Sequence, residues 1–456
     1  SSEKLWIPSC LYGFHNTETE VVTGVYGEKE FRMKGNVDVS EEDRVCPECN
    51  ARMHIHNSGN VVTLRHLSLG FGRISICFPR KQMKCPKCGK TASQYISFKA
   101  EGHRITTELE TYTKDLLAKS TYTLKQVGEL TGLDENTVKA IDMQRLSERY
   151  IKDEKLIKPE REAIYLGIDE FKLHKGHKYA THIIDMETGH ILWIAEGKKK
   201  QVVYDFIEHV GLEWMSNVVA LACDMNSDFE EAFREKCPHI KTVFDYFHIV
   251  KNFNDKVVSD VRKDEQKRLV KSGDVEGAKA LKKTKYILTS NRATLRQKDL
   301  EADHGKVLSR GSELFHIPEV RRHGGYEAKY DRLLSENSLL FTVDLVKEQL
   351  RAAFAETSEF EMAKHIEQII DTCDATGNKH FQWFARLLDT HFTGIIAHAT
   401  YRISSGKIEG INNKVKTLRR QAYGIPDDEY FFLKVVDASY RPYVHCRRPR
   451  VKCDNC

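Results

Sequence analysis

The sequence has no long apolar run, little net charge and no internal repeat, and each absence narrows the possible classes of protein. Its best apolar stretch, Val218 to Cys223, is far shorter than the roughly 20 residues that cross a bilayer, so we expect no membrane partner. Ser1 to Phe14 has no basic region followed by an apolar stretch, which predicts a cytoplasmic location. The net charge is only +5, so any nucleic-acid surface must come from local clustering of basic residues.

The composition is that of a folded chain with several domains. The 456 residues are enough for about three domains. With 40% hydrophobic and 30% charged residues, the chain is not disordered throughout. In a cytoplasmic protein, the twelve cysteines are better explained as metal ligands and buried thiols than as disulfides.

Sequence patterns divide the chain into segments, for which we predict a multidomain α/β protein. Most of residues 101–160 and 260–400 have helical periodicity, and we find no convincing strand in the second of these stretches. The predicted segments are a zinc ribbon at 1–100, a helix-turn-helix at 101–160, the first part of a catalytic core at 161–259, an all-α insertion at 260–400, the last part of the core at 401–440, and a basic tail with cysteines at 441–456.

The predicted core begins with three strands and continues with alternating helices and strands. Its order is βββαβαβα, with strands at 163–169, 179–186, 190–195, 217–223 and 240–244, and helices at 201–215, 228–235 and from residue 246. A hairpin that precedes βα units predicts a mixed sheet covered by helices. This order resembles the ribonuclease H-like fold, in which the first and fourth strands are neighbours.

Two Cys-x-x-Cys turns predict a metal site near the start of the chain. Cys46 and Cys49 form one turn, and Cys85 and Cys88 form the other. Two such turns supply the four thiolates of a structural Zn²⁺ site. Four ordinary buried or redox cysteines are the alternative, and His54, His56 or His66 could replace a thiolate. The tail cysteines with Cys10 could form a second site, or remain free thiols.

A helix-turn-helix is predicted between residues 124 and 144. Apolar residues recur at helical spacing up to the turn glycine Gly132, and Asp134 is placed to cap a second helix with Val138 and Ile141 inside. Any two packed helices joined by a glycine turn would look similar. The outer face carries residue types that bond base edges and phosphates, namely Asn136, Thr137, Lys139 and Gln144.

Three acidic residues that are far apart in sequence are candidate metal ligands. Asp169 and Asp224 are predicted to end the first and fourth strands, where a buried unpaired charge would be costly without a cation. Glu409 lies early in a predicted helix whose apolar stripe contains Ile408, Ile411 and Val415. The polar face of this helix adds candidate DNA contacts at Asn413, Lys416, Arg419 and Arg420.

Three carboxylates around a cleft suit two Mg²⁺ ions that promote displacement at a phosphodiester, and Mn²⁺ could substitute. Taken singly, each acid would more often be a helix cap or a member of a surface ion pair. Asp245 and His248 lie three residues apart beyond the fifth strand. His248 could contact the scissile phosphate, or it could be a packed core histidine.

Together these motifs resemble the ISL3 family of bacterial insertion-sequence transposases. The resemblance covers nearly the whole chain in the right order, and its most specific parts are residues 167–178 and 407–424. It implies a DDE transposase with Asp169, Asp224 and Glu409 as the catalytic triad, and a nucleoid-associated bacterial protein. One departure is Ser405, where family members often have Asn.

The resemblance implies a Mg²⁺-dependent enzyme that binds the terminal inverted repeats of its element, cleaves double-stranded DNA at the ends and joins the 3′ ends to target DNA. Because both ends must be held together, we expect a homodimer or higher oligomer on DNA. Two alternatives remain open: a structure-specific nuclease or resolvase with the same fold, and a DNA-binding regulator without catalytic activity.

Overall fold

The computed structural model describes residues 11–440, apart from 26, 71, 120, 175, 226 and 422–424. The chain forms two compact units, one of residues 1–157 with 416–438 and the other of residues 158–415 with 439–456. The predictions for Cys10 and for the tail at 441–456 lie outside the described residues. Across the described residues, no helix combines the length and apolar character needed to span a membrane. The structure is a multidomain α/β protein, as the sequence predicts.

Two small sheets form the first part of the first unit. A four-stranded sheet has the order β1-β2-β5-β4, and a three-stranded sheet has the order β3-β6-β7. Apolar residues alternate along β5, so that Ile74, Ile76 and Phe78 are buried in the core of the larger sheet. The strands are β1 (Phe14–Thr23), β2 (Lys29–Val37), β3 (His54–Asn57), β4 (Val61–Leu69), β5 (Gly72–Pro79), β6 (Gln82–Lys84) and β7 (Thr91–Ser93), with a 3₁₀ turn at Glu42–Arg44.

Three helices follow, as predicted, in α1 (Thr107–Ala118), α2 (Leu124–Thr131) and α3 (Glu135–Tyr150). Gly132 ends α2 in the left-handed conformation, and the Asp134 carboxylate caps α3 by accepting from the Thr137 amide. Val138 and Ile141 are fully buried, as expected. The segment also contains a short hairpin, β8 (Ile151–Lys152) and β9 (Lys155–Leu156), that helical periodicity did not predict.

The second unit contains a five-stranded sheet of order β12-β11-β10-β13-β14. Its strands are β10 (Tyr165–Lys172), β11 (Tyr179–Asp185), β12 (Ile191–Glu196), β13 (Ala220–Cys223) and β14 (Lys241–Phe244). The first three strands are antiparallel, whereas β13 and β14 run parallel to β10. The first and fourth strands are therefore neighbours, as predicted. The expected end of the first strand at Asp169 is wrong, because pairing with β11 continues the strand to Lys172.

Helices connect the strands of this sheet. They are α4 (Lys200–Val210), α5 (Leu212–Met215), α6 (Ser227–Lys236) and α7 (Tyr246–Asn252), and α7 continues into a π-helical turn, Phe253–Val258. The single helix predicted over 201–215 is in fact two helices, because Gly211 adopts a positive φ of 88° between them. Valines and phenylalanines from these helices, including Val203, Phe206 and Phe233, pack in the core.

The long stretch between β14 and the last two helices is mainly helical. It contains α8 (Ser259–Lys271), α9 (Val275–Ala280), α10 (Lys285–Thr289), α11 (Arg292–Asp303), β15 (Val307–Ser309), β16 (Val320–Arg321), α12 (Tyr326–Ser335), α13 (Ser338–Ala355), α14 (Glu359–Ala375), α15 (Lys379–Thr390), α16 (Phe392–Ile396) and α17 (His398–Tyr401). The expectation of no strand is wrong, since β15 and β16 pair in a small exposed ladder. Strands of three and two residues are too short to show an alternating hydrophobic pattern.

The last helices are α18 (Gly406–Gln421) and α19 (Asp428–Tyr440), and the division between the units falls within α18, after Val415. In the first unit, α19 packs on α3 through buried charges. The Asp142 carboxylate accepts from Tyr430 Oη at 2.7 Å and from Lys434 Nζ at 2.9 Å. Arg145 bridges Asp142 and Asp437. These groups are buried together, so each charge is stabilised in the interior only while its partner is present.

Candidate functional site

Two aspartates meet at one edge of the five-stranded sheet. The parallel register pairs Gly167 of β10 with Ala222 of β13, so Asp169 lies two residues further along β10 and Asp224 directly follows the end of β13. Asp169 is half-buried, and the side chain of Asp224 is 49% exposed. The two carboxylates are close enough for the charge of Asp224 to raise the pKa of Asp169. The edge is therefore a site of concentrated negative charge.

Helix α18, which carries Glu409, packs directly against β10. A Cβ atom on Gly167 would meet Ile408 Cδ1 at 2.9 Å, so the glycine permits the close approach of helix and strand. One turn later, Asn412 Nδ2 donates to Asp169 Oδ2 at 2.6 Å. Glu409 precedes Asn412 by three residues and is exposed. Residues three apart lie on one side of a helix, so we expect Glu409 on the same side of α18 as Asn412.

The charge state of Asp169 is set by opposing effects. Burial raises its pKa, and the nearby Asp224 raises it further. Hydrogen bonds from Asn412 and from the backbone N–H of Glu170, together with the charge of His248, act in the opposite direction. The net pKa is above its ordinary value. A cation at this edge would favour the ionised carboxylate.

The donor set fits hard divalent cations. Carboxylate oxygens are the ligands that Mg²⁺ prefers, and each carboxylate oxygen of Asp169 can accept a second interaction beside its hydrogen bond. Over the described part of the chain, the oxygens of Asp169, Asp224 and Glu409 do not all lie within 4.8 Å of one another. Like charges repel without a cation between them, and the exposed Glu409 side chain is free to adopt other rotamers.

Asp245 and His248 lie on the element that follows β14. Asp245 accepts hydrogen bonds from the backbone N–H of Ser405, at 2.9 Å, and from its hydroxyl. Ser405 directly precedes α18, so this carboxylate fixes the start of the helix that carries Glu409. His248 Nδ1 lies 3.4 Å from Asp224 Oδ1. The His248 side chain is 16% exposed, and its ring nitrogen lies beside the acidic edge.

Sequence reasoning missed two features of this edge. His182 lies directly across the ladder from Asp169 and is fully buried, and burial lowers its pKa to about 4. The His182 imidazole is therefore uncharged at pH 7 and forms part of the lining of the site. The second feature is Asn412, whose side chain donates a hydrogen bond to Asp169. Its helical offset of three from Glu409 was the available signal.

The four cysteines of the two turns come together in the first unit. Sulfur atoms lie 3.5 Å apart for Cys46 and Cys88, 3.5 Å for Cys49 and Cys85, and 3.6 Å for Cys49 and Cys88. A tetrahedral Zn²⁺ with bonds of about 2.3 Å places its sulfurs about 3.8 Å apart. None of the described cysteines forms a disulfide. The cluster could hold a metal ion, as predicted.

The two turns have the same backbone geometry, and the backbone favours the thiolate form of Cys85. In each turn the fourth residue after the first cysteine, Asn50 or Gly89, has a positive φ and donates its N–H to that cysteine's carbonyl. The N–H groups of Cys88 and Lys87 lower the pKa of Cys85 to about 6, which favours the thiolate. The histidines considered as substitutes are outside the cluster. His54 and His56 are exposed on β3, and His66 bonds Thr106.

The candidate DNA contacts on α3 already have partners within the first unit. The Thr137 hydroxyl donates to Asp134, Lys139 pairs with Asp427 at 2.7 Å, and Gln144 donates to Glu148 at 2.8 Å. Asn136 is exposed. These bonds lie at or near the surface, where exchange for a phosphate or a base edge costs little.

The candidate DNA contacts on α18 differ in their exposure. Asn413, Lys416 and Arg420 are exposed, and the Arg419 guanidinium lies over the ring of Phe431, 4.8 Å from its centroid. Arg419 is thus partly engaged in packing. Lys200, the first residue of α4, pairs with Glu231 and Glu235, each at 2.8 Å, and is therefore not free to bind phosphate.

Comparison with known proteins gives a consistent result. A family model described as a transposase, of the ISL3 group of DDE transposases, matches residues 166–435, which is more than half of the chain. The transposase for insertion sequence element IS1001 of Bordetella parapertussis is 27% identical over 391 residues, covering 86% of this chain and 87% of that protein. The transposase for IS1557 of Mycobacterium tuberculosis is 23% identical over 277 residues, covering 57% of this chain and 56% of its own length.

Proposed function

This chain belongs to the ISL3 family of transposases, and we propose that it binds the terminal inverted repeats of its insertion sequence, cleaves the element ends and transfers the 3′ ends to target DNA. The observation that carries the proposal is the hydrogen bond from Asn412 to Asp169, which joins the helix of Glu409 to the strand of the first aspartate. The strand order β12-β11-β10-β13-β14, with Asp169 and Asp224 on neighbouring strands, supports a ribonuclease H-like core.

In this proposal Asp169, Asp224 and Glu409 hold two Mg²⁺ ions, for which Mn²⁺ could substitute. When bound, such ions activate the attacking water or 3′-hydroxyl and stabilise the leaving oxygen. Asn412 orients Asp169 and favours its ionised form. Asp245 fixes the start of α18 through Ser405 and thereby positions Glu409.

His248 is assigned a supporting role at the same edge. Its Nδ1 atom is 3.4 Å from Asp224, so the imidazole can orient that carboxylate. Its position also suits a contact with the scissile phosphate, for which a protonated ring would be the better partner. Substitution of His248 should therefore slow cleavage without preventing it.

The first unit would recognise the DNA ends. We assign Zn²⁺ to Cys46, Cys49, Cys85 and Cys88, and base or phosphate contacts to the exposed side of α3, through Asn136, Thr137, Lys139 and Gln144. Asn413, Lys416, Arg419 and Arg420 of α18 would contact phosphates close to the acids. Because two ends react together, the active form would be a dimer or a higher oligomer on DNA.

The test compares Asp224→Asn and Glu409→Gln with Glu213→Gln, an exposed carboxylate on α5. The first two variants should bind a terminal-repeat duplex normally but cleave it on the order of a hundredfold to a thousandfold more slowly, whereas the control should remain active. Pre-cut ends supplied with Mg²⁺ should be joined to a plasmid. Cleavage without joining would indicate a nuclease or resolvase, and unchanged transposition by Asp224→Asn would indicate a non-catalytic DNA-binding role.

A further inference from the structure

The second unit has a groove lined by basic residues that begins next to the acidic edge. Two concave surfaces adjoin one another, because Lys285 and Thr289 line both of them. We call the two surfaces together the lysine groove. The side chains that define it are Phe247, Lys251, Arg262, Lys282, Lys283, Lys285 and Tyr286.

The groove starts one residue away from the acidic edge. Phe247 lines it and is 50% exposed, and its ring centroid lies 5.5 Å from that of His248. His248 in turn faces Asp224. Lys251 follows Phe247 by four residues on α7, so both side chains lie on the same side of that helix. A strand that left the acids past Phe247 would meet the ammonium group of Lys251 next.

The charge of the groove is strongly one-sided. Five cationic side chains line it, namely Lys251, Arg262, Lys282, Lys283 and Lys285, against the single carboxylate of Asp255, which lies 3.1 Å from Lys285. Among the described residues, no carboxylate is within ion-pairing distance of Lys251, Lys282 or Lys283, and all three are exposed. Unbalanced cations held along a groove are suited to a polyanion, because binding releases its counterions.

The chemistry of the lining indicates contact with a nucleic-acid backbone rather than reading of bases. Lysine ammonium groups act as point charges on phosphates and carry little sequence information. The exposed rings of Phe247 and Tyr286 add faces on which sugars or an unpaired base can pack. The groove therefore suits DNA of any sequence.

We propose that the lysine groove binds target DNA during strand transfer, an inference that rests on the proposed function. Flanking DNA is already tethered, because it continues from a transposon end that the protein holds, and the tether raises its effective concentration. Target DNA has no such tether and no fixed sequence. Its binding must therefore come from phosphate contacts close to the acids, and the groove supplies them.

The experiment uses the full chain with Lys251, Lys282 and Lys283 all changed to Gln. The matched control changes Lys267, Lys271 and Lys329 to Gln, which removes the same charge from exposed lysines outside the groove. Binding of a random duplex of about 30 base pairs is measured across a range of KCl concentrations. The groove variant should bind about tenfold or more weakly, and the slope of log K against log salt should fall in magnitude by about 2.7, from about 0.9 per lost phosphate contact.

Joining of pre-cut transposon ends to a plasmid is then compared with cleavage of intact ends. The groove variant should join poorly at low plasmid concentration, recover at high concentration, and cleave intact ends at the wild-type rate. Equal loss of cleavage and joining would overturn the assignment, because it would place flanking DNA in the groove. An equal loss of joining in the control variant would also overturn the assignment of the groove to target DNA. A wild-type protein that binds random duplex through the groove but neither cleaves nor joins would refute the proposed function instead.

Discussion

Asn412 donates a hydrogen bond to Asp169 across 243 residues of sequence, with 2.6 Å between Asn412 Nδ2 and Asp169 Oδ2. This bond connects the helix that carries Glu409 to the strand that carries the first aspartate. It also favours the ionised form of a carboxylate whose pKa burial raises. Asn412 is therefore a positioning residue of the proposed site.

Replacing Asn412 by Ala should slow end cleavage by about tenfold to a hundredfold, the effect expected for loss of a hydrogen bond to a charged group. Without the bond, the pKa of Asp169 should rise further, so the acid limb of the pH–rate profile should move to higher pH. Cleavage rates at saturating metal across that pH range measure both effects. Thr417→Ala, at an exposed position of the same helix, is the control, and an identical profile for Asn412→Ala and wild type would contradict the assignment.

A methyl group at Gly167 should disturb the packing of α18 on β10. Its Cβ would lie 2.5 Å from Met186 Sδ and 2.9 Å from Ile408 Cδ1, an overpacking that costs about 1–3 kcal/mol. Gly167→Ala should lower the free energy of unfolding and reduce cleavage. Gly410→Ala is the control, since its Cβ meets nothing within 4 Å.

Alanine at Gly410 should increase stability by up to about 1 kcal/mol through higher helix propensity. Urea unfolding and a cleavage assay measure both glycine variants. If Gly167→Ala were as stable and active as Gly410→Ala, the close approach of helix and strand would not be needed for the site.

Cys85→Ser should release the metal ion from the cysteine cluster and weaken binding of transposon ends. The hydroxyl is a poor substitute for a thiolate that the backbone already favours. Metal analysis should find about one zinc per wild-type chain and less in the variant. Cys77→Ser, at a cysteine outside the cluster, should retain its zinc. Full zinc content in Cys85→Ser would exclude the proposed four-thiolate cage.

Asp142→Asn should destabilise the packing of α19 on α3. Burial raises the pKa of Asp142, but the charges of Lys434 and Arg145 outweigh this effect, and the net pKa is below its ordinary value. Removing one partner of a buried ion pair costs about 3–5 kcal/mol, because the other charge stays buried. Asp115→Asn, at an exposed aspartate on α1, should cost much less.

The lowered pKa of Asp142 also predicts how the free energy of unfolding changes with pH. A carboxylate whose pKa is lowered by folding stabilises the folded state at pH values above its unfolded pKa of about 3.9. This contribution disappears as the pH falls through the lower folded pKa. The free energy of unfolding, measured by urea titration between pH 7 and the acid range, should therefore fall less steeply in Asp142→Asn than in the wild type.

Local patterns in the sequence determined the elements and most of the candidate site. The Cys-x-x-Cys turns, the apolar strands before Asp169 and Asp224, and the apolar stripe beside Glu409 are all features of short segments. Each depends on spacing and periodicity within one element, so it can be recognised without knowledge of the fold. The helices and strands that carry these segments are present, whereas the end of β10, the division of the helix predicted over 201–215 and the short hairpins were not predicted.

Only the tertiary structure decided which polar groups meet. Ser405 with Asp245, Asn412 with Asp169, and Lys434 with Asp142 are separated by 160, 243 and 292 residues. A polar side chain carries no local signal of its partner, because the partner depends on how distant elements pack. The lysine groove has the same origin, since Lys251 of α7 and Lys283 of the turn before α10 line adjoining surfaces only when the helices after β14 fold.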